Sequence, residues 1–332
     1  MRKILLIAVL LAAWVARPSA LAADTPADKP AEPAAPGTAT KTPAAHGCVI
    51  EKFTVASPSM KRNIEVAVLL PPAHAQNTDQ KFPVLYTLHG RGAPYEVFVG
   101  MRSAQAALKE KPMIIVGFNG DRAGWYLDAS QKPDSQFTTF FFKELIPHIE
   151  KNYRAVTDAK GRGVTGFSMG GFGAFHYMLV HPHMFAGVSS MSGALESLKA
   201  ASFVSADLKA LLGDPEANKE GYAQLDLRAG LEALIKKQTR LPPVYLACGT
   251  EDGLIPMSRS FCALFEKEKL PCECVYAPGK HNYAYWQAAM TGVIDFHWRT
   301  FQGNYKPMQH PAPAPAEEKP AQKPVAQPAP AR

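Results

Sequence analysis

Gly166-Phe167-Ser168-Met169-Gly170 reads as a serine carried on a tight turn between a strand and a helix. Gly163-Val164-Thr165 before it is short and partly β-branched, like the end of a buried strand. Gly171 to Leu179 after it opens on small residues and has helical character. Glycine on either side of the serine tolerates the backbone angles and the close helix–strand approach that such a turn imposes. The same geometry lifts the Ser168 hydroxyl above the sheet and aims helix N-terminal amides at negative charge formed there. The five-residue pattern alone arises readily by chance, so the rest of the chain must supply its context.

Strand signals recur on both sides of this turn. Asn63–Leu70, Phe82–Leu88, Met113–Gly117, Ala186–Ser192, Val244–Cys248 and Glu273–Ala277 are short apolar runs bounded by Gly, Pro or polar residues. Phe140 to Tyr153 has helical spacing with an interruption at Pro147. Strands alternating with helices predict an α/β fold, a mostly parallel central sheet with helices on both faces. In such sheets, chemistry collects at the carboxyl ends of the strands. Gly249-Thr250-Glu251-Asp252-Gly253 follows one strand, and Pro278-Gly279-Lys280-His281-Asn282 follows the next. The chain order is therefore Ser, Asp, His. A serine hydroxyl is a weak nucleophile until a neighbouring base takes its proton, and that base needs a carboxylate to hold its tautomer and stabilise its charged form. Taken singly, His281 reads as one loop histidine among ten, and Asp252 as a cap for the helix that follows. All three falling on strand exits favours the joint reading.

The ends of the chain read differently. Met1-Arg2-Lys3, a 13-residue apolar run from Ile4 to Ala16, and Ala20-Leu21-Ala22 together predict a signal peptide over 1–22. The run falls short of the ~20 residues that span a bilayer, which disfavours the alternative of a membrane anchor. Residues 23–45 and 303–332 are rich in Pro, Ala and Lys without apolar periodicity, and read as a disordered or extended linker and tail, with cell-envelope contact as one use for them. Residues 46–302 are left as one large domain. The formal charge is +7, reduced to +4 once Arg2, Lys3 and Arg17 leave with the signal. So small a surplus does not point to nucleic acid. The five cysteines include no C-x-x-C pair, so neither zinc nor a redox motif is predicted. Export permits a disulfide. Cys262 falls in a helical stretch while Cys272 and Cys274 share one strand face, so either can bridge to it. Cys248 reads as a buried free thiol.

Leu88-His89-Gly90, Gly124-Trp125-Tyr126-Leu127-Asp128, Glu144-Leu145-Ile146-Pro147, Ser168-Met169-Gly170-Gly171, Ser192-Gly193, the Asp252 loop and His281 carry a further signal. With them the chain, from about Val49 to Trp298, resembles an esterase family within the α/β-hydrolase fold. That family includes esterase D-type S-formylglutathione hydrolases, tributyrin and feruloyl esterases, and mycolyltransferases. The resemblance implies an α/β-hydrolase in which Ser168, Asp252 (rather than Glu251) and His281 form the catalytic triad. It also implies that the amides of Met169 and Arg91 form the oxyanion hole. Arg91 departs from the smaller or apolar residues of relatives, and its side chain either points away or sets a cation at the pocket mouth. Trp125 and Tyr126 are implied as acyl-pocket or supporting residues, and Trp286 could wall the same substrate pocket. Residues 194–240 read as a helical cap excursion. The resulting expectation is an exported (periplasmic or secreted) serine carboxylesterase acting on small or aryl esters without metal or organic cofactor. The alternatives are an acyltransferase passing the acyl group to a sugar or lipid hydroxyl, and a non-catalytic binding module on the same fold.

Overall fold

Nine strands form a single sheet in the computed structural model, which describes residues 39–196 and 202–307. They are β1 (Thr40–Pro43), β2 (Val49–Ser57), β3 (Arg62–Leu70), β4 (Val84–Leu88), β5 (Ile114–Phe118), β6 (Arg162–Phe167), β7 (Gly187–Met191), β8 (Val244–Gly249) and β9 (Cys272–Ala277). Their spatial order is β1-β2-β3-β5-β4-β6-β7-β8-β9. Pairing is antiparallel from β1 through β3 to β5 and parallel from β5 to β9. This is the mostly parallel α/β sheet that the alternating pattern predicts.

The central strands β4 to β8 are buried along their whole length because both faces are covered, and successive side chains point to opposite sides. Val84, Tyr86 and Leu88 of β4 join Val164 of β6 and Phe172, Phe175 and Met178 of the helix Met169–Val180 on one face. Leu85 joins Leu69 and Ile115 on the other, beneath Met290, Val293 and Ile294 of the helix Tyr283–Phe301. The helix Ile255–Lys267 is tied to β9 by a Cys262–Cys274 disulfide. Of the two partners open to Cys262, Cys272 stays a half-buried free thiol, and Cys48 and Cys248 are buried free thiols.

Three features depart from the pattern read along the sequence. Thr40–Pro43, at the end of the stretch expected as linker, forms the edge strand β1; it is wholly exposed and held by its ladder to β2 and by an ion pair between Lys41 and Glu51. A strand held mainly by backbone bonding has no apolar period to betray it. β2 was not anticipated either. Pro147 does not break its helix: Phe137–Phe140 continues through a π-helical turn, Phe141–Leu145, into Ile146–Asn152. In that wider turn Ile146 donates to Phe141, so the register shifts just ahead of a residue with no N–H to give. The expected signal peptide, the linker up to residue 38 and the tail from 308 lie outside the described residues. The excursion expected at 194–240 contains the helices Ser202–Leu212, Lys219–Ala223 and Leu227–Lys236.

Strand order reverses around β4, which lies between β5 and β6, so the exits of β4 and β6 sit side by side at the switch point. The first turn of the Met169–Val180 helix packs directly onto these exits. A Cβ on Gly170 would fall 1.8 Å from the Leu88 carbonyl oxygen, and one on Gly166 would fall 2.3 Å from the Gly170 backbone. Leu88 O belongs to a central strand and cannot step aside. Gly170→Ala is therefore expected to destabilise the fold by about 3 kcal/mol or more. The denaturant midpoint measures this, and a variant as stable as wild type would contradict the packing described.

Candidate active site

Ser168 is the hinge residue between β6 and the following helix, with φ 54° and ψ −119°. Non-glycine residues adopt such angles only when their surroundings impose them, at a cost of about 1–3 kcal/mol. Here the Ser168 N–H donates to Met191 O at 3.0 Å, and its carbonyl accepts from Ala194 N at 3.1 Å. The turn is thereby pinned to the exit of β7.

The exits of β8 and β9 bring two more groups to the hydroxyl. His281 Nε2 lies 3.0 Å from Ser168 Oγ, and His281 Nδ1 lies 2.9 and 3.1 Å from the two carboxylate oxygens of Asp252. These contacts join residues 113 and 29 positions apart in the chain. The Asp252 side chain is fully buried, and Oδ1 also accepts the Leu254 N–H at 2.8 Å. Burial by itself would raise its pKa, but hydrogen bonds from His281, the Leu254 amide and Ser192 outweigh that and hold it below the ordinary carboxylate value. An ionised carboxylate only accepts, so Nδ1 carries the imidazole proton and Nε2 presents its lone pair to the Ser168 hydroxyl. The neighbouring Glu251 is exposed. The His281 ring stands edge-on to Trp286, which stacks on Phe167 at 4.1 Å, so the residue before the serine braces the histidine. Trp286 is half-buried against this brace.

The second wall comes from the exit of β4. A Cβ on Gly90 would sit 3.3 Å from Ser168 Cβ, so the Gly90–Arg91 peptide lies beside the serine. The carbonyl of that peptide accepts from His89 Nδ1 at 2.8 Å and from Ala93 N at 3.0 Å. In a planar trans unit the Arg91 N–H then points the opposite way. His89 is buried, which lowers its pKa, and its Nε2 accepts the Gly120 N–H at 2.9 Å; the ring is thus a neutral clamp with its proton on Nδ1. Met169 opens the helix after the serine.

Other residues singled out from the sequence sit differently. Arg91 does not project a lone cation into the mouth: its guanidinium makes two hydrogen bonds to Asp207, at 2.5 and 2.9 Å. Trp125 and Tyr126 are 2% and 0% exposed, so they do not line an open pocket. The Tyr126 ring fills the space over Gly120 and Gly173 and donates its hydroxyl to His89 O at 2.8 Å, while Trp125 packs edge-on to Phe172. Both carry φ above +50°, which turns the loop inward onto the core. Asp207 and the clamping role of His89 escaped the sequence reading. His89 stands in a recognisable strand-exit motif, whereas Asp207 lies in an ordinary helix, 116 positions from the arginine it binds.

A cleft of about 660 Å³ lies at the opposite, amino-terminal ends of β6–β9, bordered by Arg240, Pro243, Pro271 and Tyr305. None of the hydrogen-bonded Ser, His and Asp residues borders it, so bond geometry and not cleft size locates the chemistry. Among the described residues no group of three or more His, Cys, Asp or Glu side chains could hold a metal ion. No described helix is long and apolar enough to cross a membrane.

A reversing parallel sheet with a strained serine at its switch point defines an α/β-hydrolase. The family described as Putative esterase matches residues 57–296, and the chain belongs to that family. An acetyl esterase of Caldicellulosiruptor saccharolyticus is 23% identical over 72% of this chain and 94% of its own length. An esterase of Mycobacterium tuberculosis is 40% identical over 141 residues, and there the match spans only 29% of the relative's length. Among solved structures, a ferulic acid esterase superposes with a TM-score of 0.62 at 26% identity, covering 76% of this chain and 98% of that one. An S-formylglutathione hydrolase from Agrobacterium tumefaciens gives a TM-score of 0.68 at 20% identity, covering 79% and 98%.

Because the folded pKa of Asp252 lies below its unfolded value, the carboxylate stabilises the fold fully above the ordinary carboxylate range, and that contribution is lost as pH falls through the folded pKa. Asp252→Asn is expected to be less stable than wild type by roughly 1–3 kcal/mol near neutrality. The difference should shrink as pH falls from about 5 to about 2. Paired Tm measurements across that range check this, and a gap that widens in acid would contradict it.

Proposed function

We propose that this protein is an exported serine carboxylesterase that hydrolyses small or aryl carboxylic esters through an acyl-serine intermediate. The observation carrying this reading is the unbroken chain Ser168 Oγ–His281 Nε2 at 3.0 Å and His281 Nδ1–Asp252 Oδ2 at 2.9 Å. The family membership supports ester hydrolysis, and the names of the acetyl and ferulic acid esterase relatives suggest acyl groups from acetyl to aryl. Export to the periplasm or the medium rests on Met1–Ala22 alone.

In this mechanism His281 takes the Ser168 proton as Oγ attacks the ester carbonyl carbon. Asp252 steadies the imidazolium that forms and stays ionised itself. The Met169 and Arg91 amides hold the developing oxyanion, two donors set in place before charge appears. Collapse of the tetrahedral species breaks the bond to the alkoxy oxygen, and His281 Nε2 returns its proton to the departing alcohol. A water then gives its proton to His281 and attacks the acyl carbon; the second tetrahedral species releases the carboxylic acid, and Ser168 Oγ regains a proton from His281. The chain's own residues complete each step. The Pro/Ala-rich tails would serve as solvated tethers, with cell-envelope contact as the alternative.

Turnover of nitrophenyl acetate, butyrate and ferulate tests this directly. Ser168→Ala and His281→Ala are each expected to lower kcat about 10⁴-fold or more. A fluorophosphonate should modify wild type at Ser168 and leave the folded Ser168→Ala protein unlabelled. Undiminished turnover by Ser168→Ala would overturn the mechanism.

A further inference from the structure

We propose that Asp207, on the helix Ser202–Leu212 of the excursion, is a positioning residue for the oxyanion-binding Arg91 amide. The inference rests on the serine-esterase reading above and goes further than it, since it assigns a catalytic consequence to a carboxylate remote from the reacting atoms. Hydrogen bonds around the Arg91 peptide close into a ring. On one side, the Gly90 carbonyl accepts from His89 Nδ1, and His89 O accepts from the Tyr126 hydroxyl. On the other, the Arg91 side chain makes two hydrogen bonds to Asp207, whose Oδ2 also accepts from Trp125 Nε1 at 3.4 Å. Trp125 and Tyr126 are adjacent in sequence, so both arms end on the same turn, at φ 51° and 59°. Gly92, just beyond Arg91, is held at φ +72° with its N–H on Arg122 O at 2.8 Å.

An oxyanion donor is useful only when held to within about 0.5 Å and 10–20° of the developing charge. The His89 arm fixes the carbonyl end of the peptide, the Gly92 N–H bond to Arg122 O fixes the peptide that follows, and the Arg91 side chain between them is held separately. Asp207 supplies a side-chain anchor there, and among the described residues it is the vertex of the ring that the excursion contributes. The Asp207 and Arg91 side chains are 13% and 30% exposed, so an Arg91 that loses Asp207 stays in reach of water and the cost to global stability is moderate. The two effects therefore separate: loss of Asp207 should cost rate far more than it costs folding.

The test uses the full chain with nitrophenyl acetate. Asp207→Ala is expected to lower kcat about 10- to 30-fold, a fraction of the 10²–10³ lost when an oxyanion donor is removed outright. KM should stay within about threefold, because the donor acts on charge present only in the transition state. Fluorophosphonate labelling of Ser168 should slow by a similar factor, and the Tm should change by only a few degrees. Asp207→Asn, which keeps one acceptor, should lie between Asp207→Ala and wild type. The double variant Arg91→Ala/Asp207→Ala should be no slower than Arg91→Ala, because the two residues act as one unit. Wild-type kcat in Asp207→Ala, a loss confined to KM, or multiplying losses in the double variant would each overturn the proposal. Should Asp207→Ala fail to fold, wild-type kcat in the isosteric Asp207→Asn overturns it equally. Inactive Ser168→Ala beside fully active Asp207 variants removes the role of Asp207 alone, whereas active Ser168→Ala removes the esterase mechanism and this inference together.

Discussion

Ser168 keeps its strained backbone because the helix behind it and the strands beneath it touch at glycine. At Gly170 there is no room for even a methyl group against the Leu88 carbonyl, and at Gly166 none against Gly170. That contact sets the angle at which the helix leaves β6 and so the height of the serine above the sheet. The strain of about 1–3 kcal/mol at φ 54° is small beside the burial of Phe172, Phe175 and Met178 on the same helix, each of which removes a large apolar side chain from water. The core thus holds the serine in a conformation the isolated peptide would avoid.

Two electrostatic environments meet over that serine. Below His281 the carboxylate of Asp252 is wholly buried, a position that costs free energy unless the charge is well hydrogen-bonded. The Leu254 amide, Ser192 and the imidazole supply those bonds, and they prevail over burial to keep the acid ionised. Above, the His281 side chain remains about a third exposed, open to a substrate on one edge and braced by Trp286 on another. A buried anion beside a partly exposed base suits the proton transfers proposed for His281.

The opposite wall is built from backbone. His89, neutral and buried, orients the Gly90–Arg91 peptide, and the inward-turned Trp125–Tyr126 pair holds His89 from one residue and Asp207 from the next. Trp125 and Tyr126, two consecutive non-glycine residues at positive φ, also store strain, and they pack against Phe172 and Gly173 of the helix that follows the serine. Of the two roles the sequence left open for these rings, acyl pocket or support, their burial favours support behind the wall. A large aromatic side chain near a strand exit looks alike in either role until its burial is known.

The chain order of Ser168, Asp252 and His281, the alternating strands and the esterase resemblance were all legible in the linear sequence, because each depends on local pattern: a glycine-flanked turn, short apolar runs, and polar loops at their exits. The half-cystine partner of Cys262 was narrowed to two and no further, since Cys272 and Cys274 share a strand face and only packing against the helix Ile255–Lys267 selects between them. The edge strand Thr40–Pro43 was hidden because backbone pairing leaves no side-chain signature. The bond from Arg91 to Asp207 was hidden because it spans 116 residues between segments with nothing in common. Local preference writes the elements and the order of Ser168, Asp252 and His281 into the sequence. Which long-range partner fills each hydrogen bond is decided only when the sheet and its helices bring distant strand exits and loops together.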